Sequence, residues 1–300
     1  MLYGFDIGGT KIAFSVFDQQ LVCVFSEQQP TPHEYTDFMV LINDWVKQAD
    51  LRFSCRGTVG IGFPGAVNPC DRRLHCANVP AIEGRHLADD LTITLGRDVS
   101  LENDANCFLL SECHGGSGDG FATVLGITLG TGVGAAIFVN GAIHRGYNAF
   151  AGEIGHCPIP ATMLLKYPKL PQFSCGCGRK MCLETYISGT GLANLYKHYA
   201  GMPLKSPDIL DKYRAGDKTA INVVDIYLDL FAAGLGCVIL VLDPDVIILG
   251  GGLSNFEALV PALTARLPEH LLKGMRLPTL RSATFGAAGG VRGAALLNYP

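Results

Sequence analysis

The chain has 300 residues, enough for one large or two modest domains with sizeable cores. Hydrophobic residues make up 48% and charged residues 17%, which excludes a disordered chain and describes a compact globular one. Net charge is −4 with no basic stripe, which argues against nucleic acid as a partner. A small anionic ligand would have to be attracted locally, by amides, a lysine or a metal ion. No segment reads as a membrane span, and the start, Tyr3-Gly4-Phe5-Asp6, lacks the charged and apolar regions of a signal peptide. A cytoplasmic location is expected. Eleven cysteines are scattered through the chain, so most are expected to be reduced thiols and only clustered ones invite a chemical reading.

In chain order, residues 1–25 read as a β-meander, followed by a helix at 35–49 with Phe38, Leu41, Ile42 and Trp45 at helical spacing. Residues 58–63 form a short buried strand entering a turn at Pro64 and Gly65. A helix at 88–95, a strand at 99–101 and a helix at 105–113 follow. A second lobe starts with a strand at 123–129. Residues 158–173 hold four prolines and no clear period, which predicts a loop or insertion with a short helix. Helices are predicted at 183–199 and 222–242, and a strand at 245–249 runs into Gly250-Gly251-Gly252. A helix at 256–266 and a small-residue helix at 286–295 complete the chain. Strands alternating with helices imply an α/β architecture.

Glycine marks the chain twice. Gly4-Phe5-Asp6-Ile7-Gly8-Gly9-Thr10-Lys11 has a counterpart in Gly126-Ile127-Thr128-Leu129-Gly130-Thr131-Gly132-Val133, and residues 4–18 overlay residues 126–140 without a gap. This predicts two strand–turn–strand units, one in each of two similar lobes with a cleft between them. Turns rich in bare backbone N–H groups form nests for anions, and two such turns facing each other would hold a polyphosphate. Ordinary hairpins are the alternative. Lys11 follows Gly9-Thr10, so this is not a Walker A loop. Gly60-Ile61-Gly62-Phe63-Pro64-Gly65 matches G-x-G-x-x-G, but Pro64 interrupts it and no acid follows at the ribose-binding distance. The turn is expected to bring backbone close to a ligand instead.

Asp6, at the end of a buried strand, calls for a cation such as Mg²⁺, or else for the turn amides. In Glu102-Asn103-Asp104-Ala105-Asn106, a strand hands over to a helix. The acidic and amide residues there either cap the helix or place a carboxylate to take a proton from an attacking hydroxyl. Cys175-Gly176-Cys177-Gly178-Arg179-Lys180-Met181-Cys182 suits one tetrahedral metal, with His156 as candidate fourth ligand and Cys157 as its competitor. A closed Cys₃His set would be structural zinc. It would pin Glu153 and His156 to the cysteine loop and Glu184, gathering groups that bond sugar hydroxyls, with Asn78 as a further candidate.

Six motifs now stand in one order: Asp6-x-Gly8-Gly9-Thr10-Lys11, Asn103-Asp104-Ala105-Asn106, Gly130-Thr131-Gly132-x-Gly134, Gly152-Glu153-x-Gly155-His156, Cys175-x-Cys177-Gly178 and Gly250-Gly251-Gly252. In them the chain resembles the ROK family of sugar kinases from end to end. Tyr3-Gly4-Phe5-Asp6, Ala77-Asn78-Val79-Pro80 and Asn103-Asp104-Ala105-Asn106-Cys107 point to its N-acetyl-D-glucosamine-phosphorylating branch.

The resemblance implies an actin-like (ribonuclease H-like) two-lobed ATPase fold with a duplicated βββαβα-type core. The implied lobes are residues 1–120 with 287–300, and residues 121–286 with the zinc loop. It implies ATP with transient Mg²⁺ and a structural Zn²⁺, and transfer of the γ-phosphoryl group to the sugar 6-hydroxyl. The implied phosphate contacts are Gly8, Gly9, Thr10 and Lys11 with Gly130, Thr131, Gly132, Val133 and Gly134; Gly250, Gly251 and Gly252 lie near adenosine. The strands beside the turns, Gly4-Phe5-Asp6-Ile7 and Ala135-Ala136-Ile137-Phe138-Val139, complete the expected nucleotide site. Asp104 is the implied general base. Gly65, Asn78, Asn103, Glu153, His156 and Glu184 are expected to join it on the sugar, His156 using its second nitrogen while His156, Cys175, Cys177 and Cys182 hold the metal. A homodimer is also implied.

Two departures stand out. Met181 replaces the glycine usual before the last cysteine, and the spacing from His156 to Cys175 is longer than in many members. Glucose and N-acetylmannosamine are the alternative substrates. A sugar-sensing regulator would carry an N-terminal helix-turn-helix, for which a strand starting at Leu2 or Tyr3 leaves no room. A zinc-stabilised scaffold would bind no ATP.

Overall fold

The computed structural model describes residues 1–299 and divides into two compact units. Unit 1 holds Met1–Asp119, Ala142–Ala151 and Thr284–Pro300, and unit 2 holds Gly120–Gly141 and Gly152–Ala283. Residues 142–151 thus belong with the first unit, where the sequence boundaries put them with the second.

Unit 1 opens with β1 (Leu2–Ile7), β2 (Lys11–Phe17) and β3 (Cys23–Pro30), an antiparallel meander. Helix α1 (Tyr35–Phe53) buries Phe38, Ile42, Trp45, Val46 and Ala49, and Phe14 stacks on both Phe5 and Trp45, which also approach each other. Each of the larger of these side chains contributes about 1.5–3 kcal/mol by leaving water. The helix stops where Ser54 turns left-handed, at φ 49°. Strand β4 (Thr58–Phe63) then pairs parallel with β1; the short β5 (Ala66–Val67) and β6 (Leu74–His75) pair with each other. Helix α2 (Leu87–Leu95), strand β7 (Val99–Asn103) and helix α3 (Asp104–Cys113) follow. The sheet order is β3-β2-β1-β4-β7.

Unit 2 begins with the hairpin β8 (Thr123–Leu129) and β9 (Val133–Val139); the two-residue β10 (Ala142–Ile143), next in the chain, falls in unit 1. Helices α4 (Ala161–Lys166), α5 (Glu184–Ile187), α6 (Gly189–Ala200), α7 (Ser206–Arg214) and α8 (Lys218–Leu242) lead to β11 (Val246–Gly250), α9 (Leu259–Arg266) and β12 (Thr279–Ser282). The order β9-β8-β11-β12, one antiparallel pair and then two parallel ones, repeats β2-β1-β4-β7. Helix α8 is long and apolar enough to cross a membrane, yet most of it is buried inside the protein. Phe231, Leu235 and Ile239 on α8 lie in the core of unit 2.

The chain returns to unit 1 as α10 (Gly289–Leu296), which packs on β1, β4 and α3. This contact explains Gly60 of the G-x-G-x-x-G match: a Cβ there would strike the carbonyl oxygen of Ala294, as one on Gly4 would strike that of Val291. Close helix packing, not a ligand, accounts for Gly60.

Three expectations change. Residues 183–199 form two helices, because Ser188 takes an extended conformation and caps α6 by accepting from Gly191 N at 2.9 Å. Helix α7 and strand β12 are additions. The two hairpins also differ by one residue: Ile7 pairs with Ile12 and Leu129 with Val133. The second turn is therefore one residue shorter, and the gapless overlay slips on the returning strand, which is enough to exchange its two faces.

Candidate nucleotide and sugar site

The tips of the two hairpins have the same chemical character. In residues 8–11, Gly8 N donates to Lys11 O at 2.9 Å, and Gly8 O accepts from Thr31 Oγ1 at 2.6 Å. In residues 130–132, Gly130 N donates to Gly132 O at 3.0 Å. The N–H groups of Gly9 and Thr10, and of Thr131 and Gly132, donate to no group among the described residues. Each turn therefore offers two adjacent amides, the donor pattern of an anion nest.

Asp6 sits beside the first turn, close enough to α10 that a Cβ on Gly290 would lie 2.7 Å from its Oδ2. Burial pushes its carboxyl above the ordinary range, with Lys11 pulling partly back. An acid raised in this way favours the folded state below its unfolded value, and that contribution is lost as pH rises through the folded one. Asp6→Asn is accordingly expected to raise stability at neutral pH, measured by urea denaturation at pH 7, with the difference vanishing below pH 4. Equal stabilities at pH 7 would contradict it.

At the start of α3 the roles of neighbouring residues separate. Asn103 is the cap: its Oδ1 accepts from Ala105 N at 2.9 Å and Asn106 N at 3.2 Å, and its Nδ2 donates to Gly65 O at 3.0 Å. Asp104 occupies the first helical position, with Oδ1 2.8 Å from Ala105 N, where a negative charge is favoured. The capping requirement that left Asp104 ambiguous is thus met by Asn103. Asn78 is exposed, and its backbone carbonyl lies against Gly9, where a Cβ would come within 2.8 Å.

In unit 2 a cavity of about 610 Å³ opens beside the second turn, lined by Gly130 and Thr131, by Gly252, and by Lys205, Ser206 and Arg214 of the α7 segment. Sequence reasoning found the glycines and missed the α7 residues. The available signal was Ser206-Pro207, a helix start, followed by Ile209, Leu210 and Tyr213. Gly250 ends β11, and Gly251 (φ 80°) lies against Leu129 O, where a Cβ would come within 2.5 Å. Phe5, Ile7, Ala136 and Phe138 are buried strand residues, and packing explains them without a ligand. Ala135, Ile137 and Val139 are half-buried on β9.

The cysteine loop and His156 come together. One ligand atom from each of His156, Cys175, Cys177 and Cys182 lies within 4.8 Å of the others. Cys175 Sγ is 3.6 Å from His156 Nδ1, and Cys177 Sγ is 3.6 Å from Cys182 Sγ. A tetrahedral zinc with Zn–S of 2.3 Å requires S···S edges of about 3.8 Å, so the donor set fits that ion. Cys157, the competing ligand, is exposed and outside the cluster. The backbone and side chain of Arg179 pull the Cys177 thiol down to about 6, whereas burial raises Cys175 and Cys182. Met181 adopts φ 61°, the left-handed region that a glycine takes without strain. Its N–H still donates to Phe173 O at 2.8 Å.

Around this cluster, His156 Nε2 lies 3.7 Å from Glu153 Oε2, so the imidazole shows one nitrogen to the thiols and the other to a carboxylate. Burial raises the Glu153 carboxyl, His156 lowers it, and Glu184 adds to the rise. Glu184 Oε2 accepts from Val133 N at 2.9 Å and its Oε1 is 3.7 Å from Cys175 Sγ. It thereby joins the metal cluster to the glycine turn. A Cβ on Gly132 would fall 2.5 Å from that carboxylate, so a larger residue there would displace Glu184 from Val133 N.

Known proteins resemble this chain over its full length. An N-acetyl-D-glucosamine kinase of Escherichia coli O127:H6 (strain E2348/69 / EPEC) is 46% identical over 300 residues, covering 99% of each chain. The crystal structure of a ROK hexokinase from Thermus thermophilus superposes with a TM-score of 0.87 at 31% identity, over 99% of this chain and 97% of that one. A ROK family glucokinase from Streptomyces griseus, in complex with glucose and AMPPNP, gives a TM-score of 0.78 at 28% identity over 99% and 98%. The fold is the actin-like, two-lobed α/β ATPase fold, each unit carrying one copy of the strand order. The sequence pattern of the ROK family matches residues 2–299, and the chain belongs to that family.

Proposed function

We propose that this protein transfers the γ-phosphoryl group of ATP to the 6-hydroxyl of N-acetyl-D-glucosamine, giving the 6-phosphate and ADP. The observation that carries the reading is full-length identity of 46% with a kinase of that name, together with the retained turns and Asp104. Phosphoryl transfer asks little covalent chemistry of a protein; positioning and charge neutralisation dominate.

In this reading the amides of Gly9, Thr10, Thr131 and Gly132 hold phosphate oxygens, and the cavity beside Thr131 takes the nucleoside. Asp6 faces the Mg²⁺ that accompanies ATP, which would relieve its unfavourable ionisation. Asp104 accepts the proton of the 6-hydroxyl. Asn103, Gly65, Asn78, Glu153, His156 and Glu184 bond the remaining hydroxyls. His156, Cys175, Cys177 and Cys182 hold a structural zinc. Three thiolate ligands fit a reducing compartment, which supports a cytoplasmic location; a homodimer follows from the family resemblance.

A coupled assay with ATP, Mg²⁺ and a panel of hexoses tests the reading. N-acetyl-D-glucosamine is expected to give a kcat/KM at least tenfold above glucose and N-acetylmannosamine. A preference for either of the others would overturn the substrate assignment.

A further inference from the structure

Unit 1 contains a second cavity, of about 210 Å³, lined by Ala66, Val67, Leu101, Asn103, Arg145 and Ala149 among others. It is smaller than the 300–1,000 Å³ of sites that enclose a whole small molecule, and is of a size for one substituent. It shares Asn103 with the Asn103–Gly65 contact, and Asp104 is the next residue. Its wall is mainly apolar, from Ala66 and Val67 of β5 and Leu101 of β7.

The polar edge is built with care. Glu102 is buried at 6% exposure, and its carboxylate accepts from Asn103 N at 2.9 Å, Asn106 Nδ2 at 2.8 Å and Arg145 Nε at 2.5 Å. A buried carboxylate saturated in this way holds the guanidinium by one edge. A guanidinium carries five N–H groups, so donors remain for a ligand carbonyl. The reaction itself uses neither Arg145 nor Val67.

We infer that this cavity receives the 2-acylamino group of the sugar, with Arg145 donating to the acyl carbonyl and Val67 and Leu101 enclosing the alkyl end. The inference rests on the N-acetylglucosamine reading and adds the residues that select the substituent. An amide needs both parts: an unpartnered carbonyl in an apolar wall is costly, and a methyl gains from leaving water. The volume also extends past an acetyl group, so N-propionyl- and N-butyrylglucosamine are substrates as well.

The test is a kcat/KM series for N-acetyl-, N-propionyl- and N-butyrylglucosamine with ATP. In the unaltered protein the three values are expected within tenfold of one another. Val67→Phe lowers the butyryl-to-acetyl ratio at least tenfold, and Val67→Ala raises it about threefold, the scale on which an apolar pocket senses single methylenes. Opposite directions at one position separate pocket volume from damage to the fold, and melting curves report the fold directly. A ratio that ignores both substitutions places the acyl group elsewhere and overturns the inference while leaving the kinase reading intact. Failure of the unaltered protein to phosphorylate any of the three overturns both.

Discussion

Asp104→Ala is expected to lower kcat for N-acetyl-D-glucosamine phosphorylation by about 10²–10⁴, the usual range for loss of a general base. Sugar binding, followed by calorimetry, is expected to change less than tenfold. The geometry makes this a clean experiment. Asn103 caps α3 through Ala105 N and Asn106 N, so removing the neighbouring carboxylate leaves the helix start in place. Alanine's high intrinsic helix propensity offsets part of the lost charge–dipole interaction at this first helical position. Asn103→Ala makes the contrast: it removes the cap and the bond to Gly65 O together, and is expected to cost about 1 kcal/mol of stability. Turnover near the unaltered value in a folded Asp104→Ala protein would remove the base assignment.

The second large effect concerns the metal. The protein is expected to carry about one zinc per chain by elemental analysis. Cys182→Ser is expected to lose it and to lower unfolding free energy by roughly 3–5 kcal/mol, the range for losing a buried structural feature. For a unit of this size that corresponds to a fall of about 10 °C in melting temperature. Cys182 is the informative choice because it is buried and its segment bridges back to Pro158, holding the loop to the strand of chain that carries His156. Leu183 N donates to Cys157 O at 2.8 Å in the same link. Glu184, two residues on, reaches the glycine turn through Val133 N, so metal loss is also expected to raise KM for ATP. Chelation of the unaltered protein should reproduce both effects, and zinc should restore them only there. A metal-free protein with unchanged melting and kinetics would refute a structural role.

Much of this was readable without coordinates. Strand β4 falls at residues 58–63 as expected, because an apolar run of that length closed by Pro64 has few other solutions. The donor set of the metal cluster was legible for a similar reason: cysteines two apart cannot bridge each other and do suit one ion. The helix α7 was not, since its apolar positions are diluted by Asp208, Asp211, Lys212 and Arg214, and its burial depends on α6 and α8. Nor was Glu112. It is fully buried in unit 1, where it accepts from Ser117 N, Thr284 N and Phe285 N, donors more than 160 positions apart in part. A lone glutamate in a helical segment carries no sign of such partners.

Taken alone, the order of residues determined most of the strands and helices, the duplication of the hairpin, and the chemical types gathered in each motif. These follow from short-range periodicity, backbone freedom and ligand chemistry. Folding in three dimensions decided the rest: the one-residue difference between the two hairpins, the division of cap and carboxylate between Asn103 and Asp104, and the choice of His156 over Cys157. It also decided that Met181 keeps a glycine's backbone angle. Each of these depends on which distant groups meet, and distance along the chain does not encode that meeting.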